Sequence, residues 1–198
     1  MKARERALDK PARVPSIFVT GPVRSGKSRF AERLARERGG EIVFVATARR
    51  DPNDAEWTAR IARHAAERPP LWALVETASD GMPIDALETL AENASAAQTL
   101  IVDSLGTWLA DIMLRESDAQ AVDARAQALA RALLATRAYA IVVGEETGWG
   151  IVPEYPSGRV FRDVLGRVQQ RLAAESLGAY LVVAGFAVDL KSIGRPVS

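Results

Sequence analysis

Short apolar runs recur along the chain, separated by longer polar stretches in which apolar residues return every three or four positions. The runs are Ile17-Phe18-Val19-Thr20, Ile42-Val43-Phe44-Val45-Ala46, Leu71 to Val75, Leu100-Ile101-Val102, Ile141-Val142-Val143 and Leu181-Val182-Val183-Ala184. They are continuous rather than alternating, the pattern of strands buried on both faces. Between them the periodicity predicts helices over 28–38, 55–67, 119–137 and 158–176. Val122, Ala126, Leu129 and Leu133 share one face of the third helix, and Phe161, Leu165, Val168 and Leu172 one face of the fourth. The stretch 78–98 resolves only into a turn, Ser79 to Pro83, and a short helix. This alternation predicts an α/β fold, a mostly parallel sheet with helices on both faces. Residues 1–15 are rich in charge, carry Pro11 and Pro15, and read as a flexible tail. Residues 16–198 then form a single domain, as the length suggests.

The strongest local signal is Gly21-Pro22-Val23-Arg24-Ser25-Gly26-Lys27-Ser28, a full match to the phosphate-binding loop G-x-x-x-x-G-K-[ST]. An apolar run precedes it and a predicted helix follows, as the motif requires. Glycines let backbone N–H groups turn onto phosphate oxygens, and the new helix aims its positive end at the anion. Lys27 is placed to reach the β- and γ-phosphates, and the Ser28 hydroxyl to ligate Mg²⁺. The run Leu100-Ile101-Val102 ends in Asp103, the pattern of a carboxylate that supports the metal; the competing role is a cap for the helix that follows. Together these features define a nucleoside triphosphate site without separating a kinase from an ATPase or a GTPase switch.

Composition narrows the chemistry. There is no Cys, which excludes disulfides, thiolate nucleophiles and Cys-bound metals and fits a reducing compartment. Lys plus Arg is 26 and Asp plus Glu 25, a net charge of +1 that gives no global argument for nucleic acid or an acidic membrane. The apolar stretch 181–188 falls far short of the roughly 20 residues that span a bilayer. The N-terminus has no secretory apolar region, so a soluble, cytoplasmic protein is expected. The single histidine, His64, sits among Arg60, Arg63 and Arg68. Guanidiniums of that density bind phosphates and favour a neutral, nucleophilic imidazole; the alternative is a solvated basic helix end.

Several blocks recur in a fixed order: GPVRSGKS, VFVATA at 43–48, RIARHAAERPPLW at 60–72, VDSLGTWL at 102–109, ETGWGIVPEYPSGRVFRDVLGRVQQRLA at 146–173, and YLVVAG at 180–185. On these the sequence resembles the bifunctional adenosylcobinamide kinase/adenosylcobinamide-phosphate guanylyltransferase family of cobalamin biosynthesis, over nearly the whole chain after residue 16. The resemblance implies a RecA-like P-loop fold and two reactions. One phosphorylates adenosylcobinamide with ATP or GTP. The other transfers GMP from GTP to adenosylcobinamide phosphate through a GMP-histidine, giving adenosylcobinamide-GDP. It implies that His64 is the nucleophile. Guanine-nucleotide contacts carry over onto residues 21–28, Ala46, Thr47 and Ala48, Ala65, Ala66, Glu67 and Arg68, Glu76, and Asp103. It also implies a homo-oligomer, a trimer.

The residues agree with these assignments without requiring them. Thr47 follows a buried run, at the carboxyl edge where α/β sheets bind ligands. Glu76 ends a run where a carboxylate either accepts the N–H groups of guanine or is an ordinary strand-end residue. Gly148 to Glu154 reads as a loop, either a structural turn or a corrinoid-facing segment, and Arg159, Arg162, Arg167 and Arg171 as mostly a solvated face. The chain departs from the family at Pro22 and Val23, where small residues are usual, and at Gly144-Glu145-Glu146, where Ser/Thr-Asn-Glu is usual. The segment 49–57 is slightly longer than usual. A P-loop kinase of another pathway and a non-catalytic nucleotide switch are the competing functions, and neither requires the RIARH or GWGIVPE segments.

Overall fold

The computed structural model describes residues 16–66, 68–79, 81–195 and 197. The tail expected over 1–15 and the nucleotide contact expected at Glu67 lie outside them. The chain runs β1 (Ser16–Thr20), α1 (Lys27–Arg38), β2 (Glu41–Ala46), α2 (Ala55–Ala66), β3 (Ala73–Glu76), α3 (Ala86–Asn93) and β4 (Gln98–Asp103). It continues α4 (Leu105–Arg115), α5 (Ala119–Ala135), β5 (Tyr139–Val143), α6 (Pro156–Glu175), β6 (Gly178–Val183), β7 (Phe186–Asp189) and α7 (Leu190–Ile193). One seven-stranded sheet has the order β3-β2-β4-β5-β1-β6-β7, parallel except for β7.

The continuous apolar runs are explained by two cores that share the same strands. Phe18, Val43, Val45, Leu100, Val102 and Val142 face a core completed by α3 to α6. Their neighbours Ile17, Val19, Phe44, Ile101, Ile141 and Val143 face the opposite core, completed by Ala31 and Ala35 of α1. Strand side chains alternate faces, so helices on both sides require apolar residues at both phases. Asp118 starts α5 by accepting the Ala121 N–H at 2.9 Å. No described helix is long and apolar enough to cross a membrane.

Register aligns the ends of five strands. Ala46 pairs with both Glu76 and Asp103, Asp103 pairs with Val143, and Val19, one residue before the end of β1, also pairs with Val143. Neighbouring strands lie about 4.8 Å apart, so Glu76, Ala46, Asp103, Glu145 and the phosphate loop all emerge along one carboxyl edge.

Two elements differ from the sequence reading. The third strand begins at Ala73 rather than Leu71, because a turn closed by Trp72 N–H to Pro69 O at 3.1 Å leaves Leu71 95% exposed. As the sheet edge, this strand is mostly exposed rather than buried on both faces. Of the run at 181–184, Leu181 to Val183 belong to a strand that starts earlier, at Gly178, and is followed by a second strand, β7, that the sequence reading did not include. Ala184 and Gly185, with φ of 50° and 84°, turn β6 back into antiparallel β7.

Candidate active site

The phosphate loop is built from local necessity. A Cβ on Gly21 would lie 2.2 Å from the Val182 carbonyl oxygen, so only glycine lets β1 leave the sheet beside β6. Gly26 has φ 97° and opens α1. Pro22 lacks an N–H but its carbonyl closes the turn, accepting from Ser25 N–H at 3.3 Å and from Lys27 Nζ at 3.4 Å. Gly185 N–H, on the β6–β7 turn, donates to Ser25 O at 3.0 Å and ties the hairpin to the loop.

Arg24 to Ser28 and His64 line one cleft of about 490 Å³, with Arg60 and Arg63 beside the imidazole. His64 is solvent-exposed in that cleft. A second, smaller cavity of about 120 Å³ continues from Lys27, Ser28 and His64 toward the sheet edge. Ala46, Ala48, Ala65, Arg68, Glu76 and Asp103 line it, together with residues not anticipated there, among them Arg50, Trp57, Thr107 and Glu145. Gly21, Pro22, Val23, Thr47 and Ala66 line neither cavity. Val23 points outward, 67% exposed.

Thr47 has a different place from the one expected of a nucleotide contact. It is fully buried, and its hydroxyl donates to Ser104 O and accepts from Ser104 N–H, each at 2.7 Å. It also bonds Thr107 Oγ1 at 2.6 Å. These bonds fasten the end of β2 to the start of α4, just after Asp103. Glu76 is in the cavity, but its Oε1 accepts from Arg50 Nη2 at 2.6 Å. Arg68 lies over the Phe44 ring, 4.1 Å from its centroid. Burial pulls the Arg68 guanidinium below its usual range, and the carboxylates of Asp103, Glu32 and Glu76 oppose that shift.

Two buried polar atoms here, Ser25 Oγ and Arg68 Nε, have no hydrogen-bond partner. Ser25 lines the larger cleft with Arg24, Arg29, Arg60 and Arg63, Arg68 lines the smaller one, and Lys27 lines both; orphaned donors among these cations fit a ligand rich in phosphate oxygens. Ser28 and Asp103 offer hard oxygen donors to the smaller cavity, the chemistry of Mg²⁺. Among the described residues there is no cluster of three or more His, Cys, Asp or Glu able to hold a metal.

Helix α2, which carries His64, buries none of its residues. It is held at its start: Trp57 Nε1 donates to Arg49 O at 2.8 Å, and Thr58 Oγ1 to Asp51 O at 2.9 Å. Arg49 in turn pairs with buried Asp111 of α4 at 2.6 Å, which also pairs with Arg115 at 3.0 Å. The segment 49–57 thus supplies the anchor of the histidine helix. Two of the α6 arginines are equally structural. Arg162 donates to the carbonyls of Ile151 and Gly148 at 2.8 and 2.7 Å, and Arg159 to those of Pro153 and Glu154 at 3.0 and 2.6 Å. They brace a loop whose Trp149, Ile151, Val152 and Tyr155 remain exposed.

The family model for cobinamide kinase/cobinamide phosphate guanyltransferase matches residues 17–190. The chain belongs to this family. It is 37% identical over 180 residues to the bifunctional adenosylcobalamin biosynthesis protein CobP of Pseudomonas aeruginosa, covering 91% of this chain and 98% of that protein. It is 34% identical over 187 residues to the bifunctional adenosylcobalamin biosynthesis protein CobU of Escherichia coli, covering 88% and 99%. Among solved structures, a prototypical ATPase from the type III secretion system of pathogenic bacteria superposes with a TM-score of 0.54. That match has 10% identity and covers 93% of this chain and 60% of the ATPase, a likeness of fold alone. The chain therefore has the RecA-like P-loop fold expected from the sequence, a mostly parallel sheet with helices on both faces.

Proposed function

We propose that this chain phosphorylates adenosylcobinamide with ATP or GTP and then transfers GMP from GTP to the resulting phosphate, in the synthesis of cobalamin. Family membership supports both activities. The observation that carries the two-reaction reading is that His64 shares its cleft with Lys27 and Ser28 of the phosphate loop. One bound triphosphate can then meet two chemistries, attack at its γ-phosphorus by a substrate hydroxyl and attack at its α-phosphorus by the imidazole.

In phosphoryl transfer the aminopropanol hydroxyl attacks the γ-phosphorus in line. The bond to the β-phosphate oxygen breaks, the nucleoside diphosphate leaves, and the hydroxyl proton passes to solvent. Lys27 and the amides at the start of α1 bind the β- and γ-oxygens and hold the group in line. Mg²⁺, held by Ser28 and Asp103, neutralises charge on the phosphates when bound.

In guanylyl transfer neutral His64 forms a bond to the α-phosphorus, and pyrophosphate leaves toward the phosphate loop. Arg60, Arg63 and Arg68 stabilise the charge at phosphorus. The cobinamide phosphate oxygen then attacks the phosphoramidate, the P–N bond breaks, and the imidazole is released with adenosylcobinamide-GDP. In this reading the Glu76 carboxylate, which also accepts from Arg50, takes the guanine N–H groups. Ala46, Ala48 and Ala65 give the base an apolar wall. The reading includes a cytoplasmic location and a homo-oligomer, a trimer, which sedimentation measures.

Purified parent, His64→Ala and Lys27→Ala proteins given adenosylcobinamide, labelled GTP and Mg²⁺ test the assignment. His64→Ala is expected to accumulate adenosylcobinamide phosphate without the GDP product, and Lys27→Ala to form neither. Equal guanylyl transfer by His64→Ala removes the histidine from the mechanism. Nucleotide binding with no corrinoid product in any protein supports a switch or another pathway's kinase.

A further inference from the structure

Glu145 lines the smaller cavity from beyond the end of β5. It follows the end of β5 by two residues and turns over the first turn of α4. Its Oε2 accepts the Gly106 N–H at 2.8 Å, and the Ser104 side chain also bonds the carboxyl group. The contact depends on the missing side chain opposite. A Cβ on Gly106 would lie 2.5 Å from Glu145 Oε2 and 2.9 Å from its Cδ. The backbone is fixed from the other side, because Gln169 Nε2 of α6 donates to Glu145 O at 3.2 Å. The next residue continues the brace: Glu146 N–H donates to Gly21 O at 3.2 Å, and Thr20 Oγ1 donates to Glu146 Oε1 at 2.7 Å.

Residues 145–146 therefore join the phosphate loop, α6 and the start of α4. Asp103 lies immediately before that start, and it shares the smaller cavity with Glu145, Lys27 and Ser28. We infer that Glu145 is a positioning residue for phosphoryl transfer, a clamp on Gly106 and Ser104 that fixes Asp103 opposite the phosphate loop. The inference rests on the reading of Asp103 as a metal ligand in the proposed function. The first N–H groups of a helix lack intrahelical partners and attract anionic acceptors, so a carboxylate is well suited to this grip. The clamp needs an acceptor oxygen at Oε2 rather than a group that removes a proton. A glutamine, whose amide oxygen can take the same N–H, keeps it.

Three variants of the full chain test this: Glu145→Ala, which removes the clamp; Glu145→Gln, which keeps an acceptor; and Gly106→Ala, which keeps the carboxylate but displaces it. Calorimetry measures GTP binding with Mg²⁺ and with EDTA, and initial rates of adenosylcobinamide phosphorylation are taken across Mg²⁺ concentrations. Loss of a group that orients a metal ligand typically costs 10- to 100-fold in metal affinity or activity. Glu145→Ala and Gly106→Ala are expected to raise the Mg²⁺ half-saturation about 10-fold or more, with GTP affinity in EDTA changed by less than about 3-fold. Glu145→Gln is expected to recover most of that loss. Where Glu145→Ala fails to fold, Gly106→Ala carries the test. The inference is overturned if glutamine fares as badly as alanine, which makes the carboxylate itself the reacting base, or if the Mg²⁺ requirement does not move. If the parent protein phosphorylates no corrinoid, the proposed function fails, while the Mg²⁺ dependence of GTP binding still decides the clamp.

Discussion

Asp111 offers a perturbation whose size follows from the structure. Its carboxylate is 4% exposed and paired with Arg49 at 2.6 Å and Arg115 at 3.0 Å. Asp111→Ala leaves two guanidiniums facing a site built for an anion. Breaking a buried ion pair costs about 3–5 kcal/mol. Arg115 is 18% exposed and cannot readily rehydrate, whereas Arg49 is 30% exposed and can, which lowers the expected loss to about 3 kcal/mol. In a chain of this length each kcal/mol moves the melting temperature by ~2–4 °C, so a drop of about 6–12 °C is expected. The same change has a functional consequence. Arg49 O is the acceptor for Trp57 Nε1, which anchors the otherwise unburied helix of His64. Loss of the Asp111 tether should slow guanylylation of the histidine more than it weakens nucleotide binding. Thermal melts of Asp111→Ala, Arg49→Ala and the double variant measure the pair, with a coupling of about 1–3 kcal/mol expected. A melting temperature within about 3 °C of the parent, or strictly additive single losses, would refute the reasoning.

Two further outcomes are expected. Gly21→Ala should abolish measurable GTP binding by calorimetry while leaving a folded protein, since its Cβ would meet the Val182 carbonyl at 2.2 Å and the phosphate loop must shift. Retained affinity would show that the loop tolerates the shift. Glu88 is 7% exposed, and both carboxyl oxygens lack hydrogen-bond partners. Burial raises its pKa above the usual 4.5, only partly opposed by the Arg125 guanidinium, whose Nη1 lies 3.7 Å from Oε1. The native state therefore holds this proton more tightly than the unfolded chain does, and stability falls as pH rises from the ordinary carboxyl range through the raised value. Glu88→Gln should be more stable than the parent by about 1 kcal/mol at pH 7.5 and lose that advantage near pH 4, measured by melts at the two values. A pH-independent difference contradicts the sign.

The sheet was legible because its strands feed two cores. Runs such as Ile17 to Val19 and Leu100 to Val102 have no polar phase, and that alone implies helices on both faces. The phosphate loop was legible because its glycines are forced, one by the Val182 carbonyl and one by a left-handed backbone. Asp103 and His64 stood out by type and neighbourhood, and both line the smaller cavity with Lys27 and Ser28. Less visible was the work of residues whose partners lie far along the chain. Thr47 was expected as a nucleotide contact from the family resemblance, with which its place after a strand agrees; its hydroxyl bonds Ser104 and Thr107, some 60 positions away. The grip of Glu145 on Gly106 spans 39 positions, and the Arg49–Asp111 tether 62. Local spacing carries no trace of such pairs. The β6–β7 hairpin did leave a signal, the small Ala184-Gly185 pair inside an apolar stretch, the kind of two-residue break that turns one strand into two.

The central claim is that the single histidine becomes covalently guanylylated. Intact-mass spectrometry of the pure protein, before and after incubation with GTP and Mg²⁺ and without corrinoid, tests it most directly. The account predicts an added GMP that is lost in acid, absent in His64→Ala, and discharged by adenosylcobinamide phosphate. An unchanged mass in protein that still binds GTP, or an adduct that survives His64→Ala, would contradict it.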